Sequence, residues 1–256
     1  MKQKRANTIS LSGNMLKLIA MITMIIDHIG GVILETGVMQ YQNEAVNNAI
    51  MATSWGNLMN TITFMTRMIG RISFPIFCFL IVEGFLHTKN VKKYLLRVGL
   101  FAFISQIPFS MALFNTYFDF SYLNVLFTFF IGIIMLIFLR KFEKDYLMQG
   151  VIVALSCAFA YLFKTDYDFI GILFIATFYL LRGDKNKILM MLILSVLCIY
   201  ESKVFLYSAV LSLIPIHFYN GSRGKVNLKY VFYWFYPAHL FVFTLIRIFV
   251  CGIPLY

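Results

Sequence analysis

Apolar positions along this chain are gathered into long runs and do not alternate with polar ones. Runs such as Leu147–Phe163 and Tyr230–Cys251 approach or reach the ~17–25 residues that a bilayer-crossing helix requires. Breaking the chain at its charge and turn clusters gives nine spans, roughly 15–34, 61–86, 95–114, 122–139, 147–163, 168–182, 187–200, 204–219 and 230–251. The sixth to eighth are short for full crossings, which predicts tilt, re-entry or local thinning of the bilayer. The second is long, and Pro75 inside it predicts a kink, because proline has no N–H to offer the Arg71 carbonyl. The expected fold is an all-α, polytopic transmembrane helix bundle of about nine spans, one domain covering residues 1–256.

Composition rules out a soluble reading. Apolar and aromatic residues make up 61% of the chain and charged residues 13%, against roughly 45–50% and about 25% in soluble domains. The net charge of +11 has a topological cause. Seventeen of the 22 Lys and Arg fall at the N-terminus or around the loops after the second, fourth, sixth and eighth spans. Lys164 and Lys203 lie on the other side, while Arg67, Arg71 and Arg247 fall within spans. By the positive-inside rule the N-terminus is cytoplasmic and, with an odd number of spans, the C-terminus is outside. The basic residues Met1 to Arg5 lead into a first span without a cleavage site, which reads as retained. Membrane lipid is the expected surrounding and nucleic acid is not an expected partner. Cys78, Cys157, Cys198 and Cys251 lie in apolar stretches without a C-x-x-C pair and read as packing residues. The outer side carries one long connection, about Glu35 to Asn60, with Glu35 and Glu44 but no Lys or Arg.

Ionisable residues at bilayer depth are costly and mark paired or functional sites. Here they are Asp27, His28, Arg67, Arg71, Glu83 and His239, with His217 and Arg247 nearer span ends. Asp27 and His28 are adjacent on a helix, so they do not face each other, and each needs a partner from another helix. Arg67 and Arg71 share one face and are the natural partners of Asp27. Their two charges exceed what Asp27 neutralises, which predicts a second carboxylate or an anionic ligand. Gly30 and Gly31 permit close approach beside His28. Glu83 belongs to the cytoplasmic end, within reach of Lys89, Lys92 or Arg97. No metal is expected, since the spacing brings neither carboxylate nor thiolate company to the histidines.

The run Leu16-Lys-Leu-Ile-Ala-Met-Ile-Thr-Met-Ile-Ile-Asp-His-Ile-Gly30 resembles the TraX family, as does Gly70-Arg-Ile-Ser-Phe-Pro-Ile-Phe-Cys-Phe-Leu-Ile-Val-Glu-Gly-Phe85. So do Tyr94-Leu-Leu-Arg97, Ser105-Gln-Ile-Pro108 and Tyr233-Trp-Phe-Tyr-Pro-Ala-His239. The resemblance implies a membrane protein named for conjugative transfer, whose plasmid-borne members are associated with N-terminal acetylation of pilin. It also places the chain near the acyltransferase 3 group of membrane acyltransferases, where a first-helix histidine, here His28, is the expected catalytic residue. Lys17 stands where that group favours Arg, and Glu83 where it has a small residue.

The resemblance implies transfer of an acetyl group from acetyl-CoA to an amine or hydroxyl on an envelope-associated acceptor, in a bacterial cytoplasmic membrane. The acceptor is left open among a pilin-like N-terminus, another peptide and a glycan. His28 is the expected base, with Asp27 and His239 as catalytic company. Lys17, Arg67, Arg71 and Glu83 are the expected donor-binding residues. Two alternatives from other classes stay open: an ion-coupled transporter using the intramembrane charges as a relay, and a non-catalytic component of a transfer or envelope complex.

Overall fold

The computed structural model describes residues 10–183, 186–224 and 229–255, and these are helical nearly throughout. Among them no strand forms; two isolated bridges, Leu11 with Tyr219 and Leu123 with Thr165, are the extended pairings. Lys2, Lys4, Arg5, Lys185 and Lys225, part of the charge sorting, lie outside the described residues.

The first helix, α1 (Gly13–His28), begins at Ser12, whose hydroxyl accepts from the Met15 N–H. It runs on without interruption as a π-helix over Ile29–Val38. Then follow α2 (Glu44–Met51), α3 (Ser54–Gly70), α4 (Ser73–His87) and α5 (Val91–Phe114). Next come α6 (Val125–Lys141), α7 (Tyr146–Leu162), α8 (Asp168–Leu180) and α9 (Lys187–Glu201). Two 3-10 turns (Lys203–Phe205 and Ser208–Ser212) and the short α10 (Leu213–His217) lead to α11 (Lys229–Cys251). Asn43, Thr53, Asn90, Asn124 and Asp145 each cap the helix after them by accepting an orphan N–H of its first turn.

Among the described residues four stretches are long and apolar enough to cross a membrane: Gly13–Val38, Ser54–His87, Val91–Phe114 and Val231–Cys251. Several other helices fall short, as the sequence predicts for the sixth to eighth spans: α8 has 13 residues and α9 has 15, about 20 Å each at ~1.5 Å per residue against a core of ~30 Å. The eighth span is not one helix at all but two 3-10 turns and one turn and a half of α-helix. The expected outer loop from Glu35 to Asn60 is also mostly helical, taken up by the end of the π-helix, by α2 and by the start of α3. The helix is interrupted before Pro75, at Arg71 and Ile72, two turn residues that keep right-handed helical dihedrals. The chain leaves α3 at Gly70 and restarts at Ser73, so Pro75 sits in the first turn of α4, where its missing N–H costs nothing.

Burial is inverted relative to a soluble domain. The α5 residues Leu96, Leu100, Phe103 and Ile107 form an exposed apolar stripe, and Ile188, Leu192 and Val196 form another on α9. Polar side chains meanwhile turn inward: Ser105, Gln106, Ser110, Asn124 and Thr128 are fully buried. Gln106 on α5 donates to the Asp119 and Tyr122 carbonyls at 2.7 and 2.8 Å and accepts from Asn124, fixing the α5–α6 connection. Its place in the Ser105–Pro108 motif is thus structural. The main core lies between α4, α6 and α8, with Phe74 stacked on Tyr167 at 3.5 Å and edge-on to Phe174. Against it α1 packs on α3 and α4, while α11 packs on α5 and on the π-helix. Those last contacts bring the first and last spans together.

Candidate active site

His28 is the last residue of α1, at the point where the helix widens from α to π. The wider repeat shows in the backbone bond from Met39 N–H to the Leu34 carbonyl, five residues back, at 2.7 Å. Isolated π turns recur at functional sites. Gly30 and Gly31 allow α3 to close in: a Cβ at Gly30 would collide with the Thr66 hydroxyl, and one at Gly31 would press on the Arg67 guanidinium at 3.3 Å. The close approach expected of these glycines is therefore made by another helix.

His239 comes from the opposite end of the chain, two residues after Pro237 in α11. Its Nε2 lies 2.6 Å from Nδ1 of His28, and its own Nδ1 lies 2.6 Å from the Phe235 carbonyl oxygen. The ring centroids are 4.8 Å apart with planes inclined by 23°, so the imidazoles meet edge to edge, as a hydrogen bond between ring nitrogens requires. The carbonyl fixes the tautomers. It can only accept, so a neutral His239 carries its proton on Nδ1 and leaves Nε2 bare. That bare nitrogen accepts from Nδ1–H of His28, and the Nε2 of His28 is left as a lone pair able to take a proton. Tyr236, Phe235 and Phe243 surround the pair.

Asp27 turns the other way, as adjacency on a helix demands. Its Oδ2 is 2.6 Å from Nη1 of Arg67 and its Oδ1 is 3.0 Å from Nη2 of Arg71. Gly70 makes room, since a Cβ there would overlap the Asp27 carboxyl. Two further carboxylates complete the network: Glu35 pairs with Arg67 Nε at 3.2 Å and Glu201 with Arg71 Nη1 at 3.2 Å. The Phe205 ring covers both guanidinium groups, 5.1 Å from Arg71, a further favourable contact for a cation. The surplus positive charge is thus met by side chains, and two guanidinium groups face three carboxylates. In the turn before α8, burial outweighs the pull of Arg71 and pushes the Asp166 carboxyl up to about 6.

Neither Glu35 nor Glu201 is among the intramembrane candidates that the sequence offers. The signal for them was the charge excess itself together with their place at the same end of the bundle as Arg67 and Arg71. What hid them was the continuation of the first helix past residue 34 and the ion pair that brings Glu201, at the end of α9, to Arg71.

The remaining candidates stand apart from the histidines. Lys17 lies eleven residues before His28 on α1, about 16 Å away at ~1.5 Å per residue, with its ammonium 4.6 Å over the Phe232 ring and its charge within reach of Arg223. Glu83, near the end of α4, is bonded to Arg182 at 2.6 Å and lies 3.7 Å from His87, not to Lys89, Lys92 or Arg97 as expected. Arg247 is fully buried and donates to the Met111 and Ala112 carbonyls at 3.0 and 2.9 Å. It caps the C-terminus of α5. Among the described residues no group of three or more His, Cys, Asp or Glu side chains could hold a metal ion.

An apolar exterior and several helices long enough to span a bilayer mark a membrane protein, and inside its bundle an imidazole pair lies beside a buried ion network. The sequence model of the TraX protein family matches residues 12–247, and the chain belongs to that family. It is 28% identical over 254 residues to a protein of Dichelobacter nodosus described as probable fimbrial assembly protein FimC, serogroup H1, covering 92% of this chain and 95% of the relative. No solved structure matches the chain.

Proposed function

We propose that this chain is a membrane-embedded acyltransferase that moves an acetyl group from acetyl-CoA to an amine or hydroxyl of an envelope-associated acceptor. The observation that carries this reading is the ordered relay from the Phe235 carbonyl through His239 to His28, which leaves Nε2 of His28 as a proton acceptor. In the transfer, the acceptor oxygen or nitrogen bonds to the acyl carbon while the thioester C–S bond breaks. His28 takes the acceptor proton and returns it to the leaving thiolate. His239 holds the tautomer, and the Asp27–Arg67–Arg71 network holds the end of α1 against α3.

The donor supplies an activated acyl group. Arg67 and Arg71 do not fit its phosphates, because carboxylates already occupy both guanidinium groups. Lys17, at the far end of α1, is the candidate left: the charge of Arg223 acts on it, and positive potential at that end attracts an anionic ligand. A donor anchored there has to extend about 16 Å along α1 to reach His28.

The reading includes nine crossings, some of them short, with a cytoplasmic N-terminus in a bacterial cytoplasmic membrane and one functional unit over the whole length. The name of the Dichelobacter nodosus relative makes a fimbrial subunit one acceptor to test. Detergent-purified protein incubated with acetyl-labelled acetyl-CoA is expected to bind it saturably and release label, and His28→Ala to lose roughly 10²–10⁴-fold of that turnover with donor affinity intact. Near-normal turnover by folded His28→Ala, or proton-gradient-dependent uptake in vesicles without acetyl release, removes the proposal.

A further inference from the structure

At the end of the bundle reached by the π-helix, a cavity of about 720 Å³ opens between the π-helix, α2 and the end of α5. Its size lies within the ~300–1,000 Å³ usual for small-ligand sites. Five carboxamides line it, those of Gln40, Gln42, Asn43, Asn48 and Asn115, and Glu44 is its one charged residue. Ala45 and Ile253 are the apolar residues of the lining, and the stems of the long polar side chains add apolar surface beside them.

One of the carboxamides is left with a demand. The Leu113 carbonyl can only accept, so Gln42 must present its amide NH₂ there, at 3.0 Å. Its Oε1 then faces Asn115, which must answer with its own NH₂, at 2.7 Å. This chain settles which way both amides point. Asn115 Oδ1 is left buried without a hydrogen-bond partner among the described residues, on a side chain 6% exposed. A buried acceptor in that state costs free energy until a small side-chain shift opens it to a donor from the cavity.

The two faces of α2 differ. α2 is amphipathic: Glu44 and Asn48 point into the cavity, while Val46, Ala49 and Ile50 form an apolar groove with Trp55 on the other side. Trp55 is half-exposed, a placement typical of the membrane interface. The lipid side of α2 is therefore the groove.

We propose that this cavity is a binding subsite for a neutral oligosaccharide. Carboxamides both donate and accept, which matches hydroxyl groups that do the same. With no Lys or Arg in the lining the site offers nothing to a phosphate or carboxylate, and a wall that mixes carboxamides with apolar surface suits a sugar ring, whose C–H faces lie beside its hydroxyls. Thr36, at its edge, is eight residues beyond His28 on the same continuous helix, on the order of 10 Å, so a single ring is too short to join the two. The role of the bound sugar as acceptor rests on the transferase reading: a sugar hydroxyl oxygen takes the acyl carbon, its proton goes to His28 Nε2, and the thiolate leaves.

Saturation-transfer NMR on the protein in nanodiscs, with N,N′-diacetylchitobiose, maltotriose and an N-acetylated trialanine amide as probes, tests the site. At least one sugar is expected to saturate and the peptide not. Asn48→Ala, on the exposed face of α2, and Asn115→Leu are each expected to weaken sugar binding by roughly 2- to 12-fold, the effect of one lost neutral hydrogen bond. No saturation by either sugar, saturation by the peptide instead, or sugar binding untouched by Asn48→Ala overturns the inference. Acetyl release measured on the same sample keeps the two readings apart. Release without sugar binding removes the cavity assignment alone, and sugar binding without release upholds the cavity and removes the transferase reading.

Discussion

Nδ1 of His28 lies 2.6 Å from Nε2 of His239, across 211 residues of sequence. The contact joins the end of α1 to the middle of α11, and it gives each imidazole a distinct duty. His239, with Nδ1 on a backbone carbonyl, is the residue that orients; His28 keeps the free lone pair. The asymmetry is what makes the pair useful for moving a proton, because two equivalent histidines would leave the tautomer undecided.

Replacing His239 with Leu keeps the apolar packing and removes the acceptor that faces His28, together with the bond to the Phe235 carbonyl. His28 can then adopt either tautomer, so turnover is expected to fall by roughly 10²-fold while thermal stability changes little. A variant that loses folded protein and activity in the same proportion, with unchanged turnover per folded molecule, assigns His239 to packing instead.

The ion network predicts coupling. Asp27→Asn leaves each guanidinium with one carboxylate, Glu35 for Arg67 and Glu201 for Arg71. Its cost is therefore expected below the ~3–5 kcal/mol of a buried charge left unpaired. Adding Glu35→Gln strips Arg67 of both partners, and the double variant is expected to lose on the order of 0.5–3 kcal/mol more than the sum of the singles. Additive losses in a thermal-unfolding cycle remove the network as a unit.

Two glycines give opposite expectations. A methyl at Gly70 collides with Asp27, whereas nothing lies within 4 Å of one at Gly150 on α7. Gly150→Ala is expected to stabilise by about 0.5–1 kcal/mol through helix propensity alone. Gly70→Ala is expected to destabilise and to disturb turnover, because it moves the residue next to His28. Equal effects of the two in melting temperature show that α3 has room to shift.

Much of this site is legible in the sequence because the bilayer makes polar residues conspicuous. Asp27 with Arg67 and Arg71, and His28 beside two glycines, follow from cost, helical spacing and the lack of a Cβ. The His28–His239 contact does not follow, since nothing in the chain says that α11 packs on the π-helix. Glu35 and Glu201 were hidden by helix ends, the least certain part of any such reading. The broken eighth span was hidden because 3-10 turns and an α-helix of the same apolar residues have the same hydropathy. The carboxamide cavity was hidden because a tract rich in Asn and Gln reads as a loop until α2 folds it.

The last prediction concerns Asp166, whose carboxyl is pushed up to about 6. The native state therefore keeps a proton that the unfolded chain, with an ordinary aspartate near 3.9, gives up. Between about pH 4 and pH 6 the native state binds more protons, so stability falls as pH rises through that window, by on the order of 2–3 kcal/mol in all, and then levels off. Asp166→Asn carries no charge to desolvate and leaves intact the backbone bonds of residue 166, its N–H to Leu123 and its carbonyl from Thr128. The variant and the parent are expected to melt together near pH 4, to separate with the variant more stable by pH 6, and to stay separated at pH 8. The thermal-shift difference plotted against pH is the measurement. A flat difference places the Asp166 titration elsewhere, and a variant that grows less stable as pH rises means that the charged carboxylate is held by Arg71 more strongly than burial opposes it.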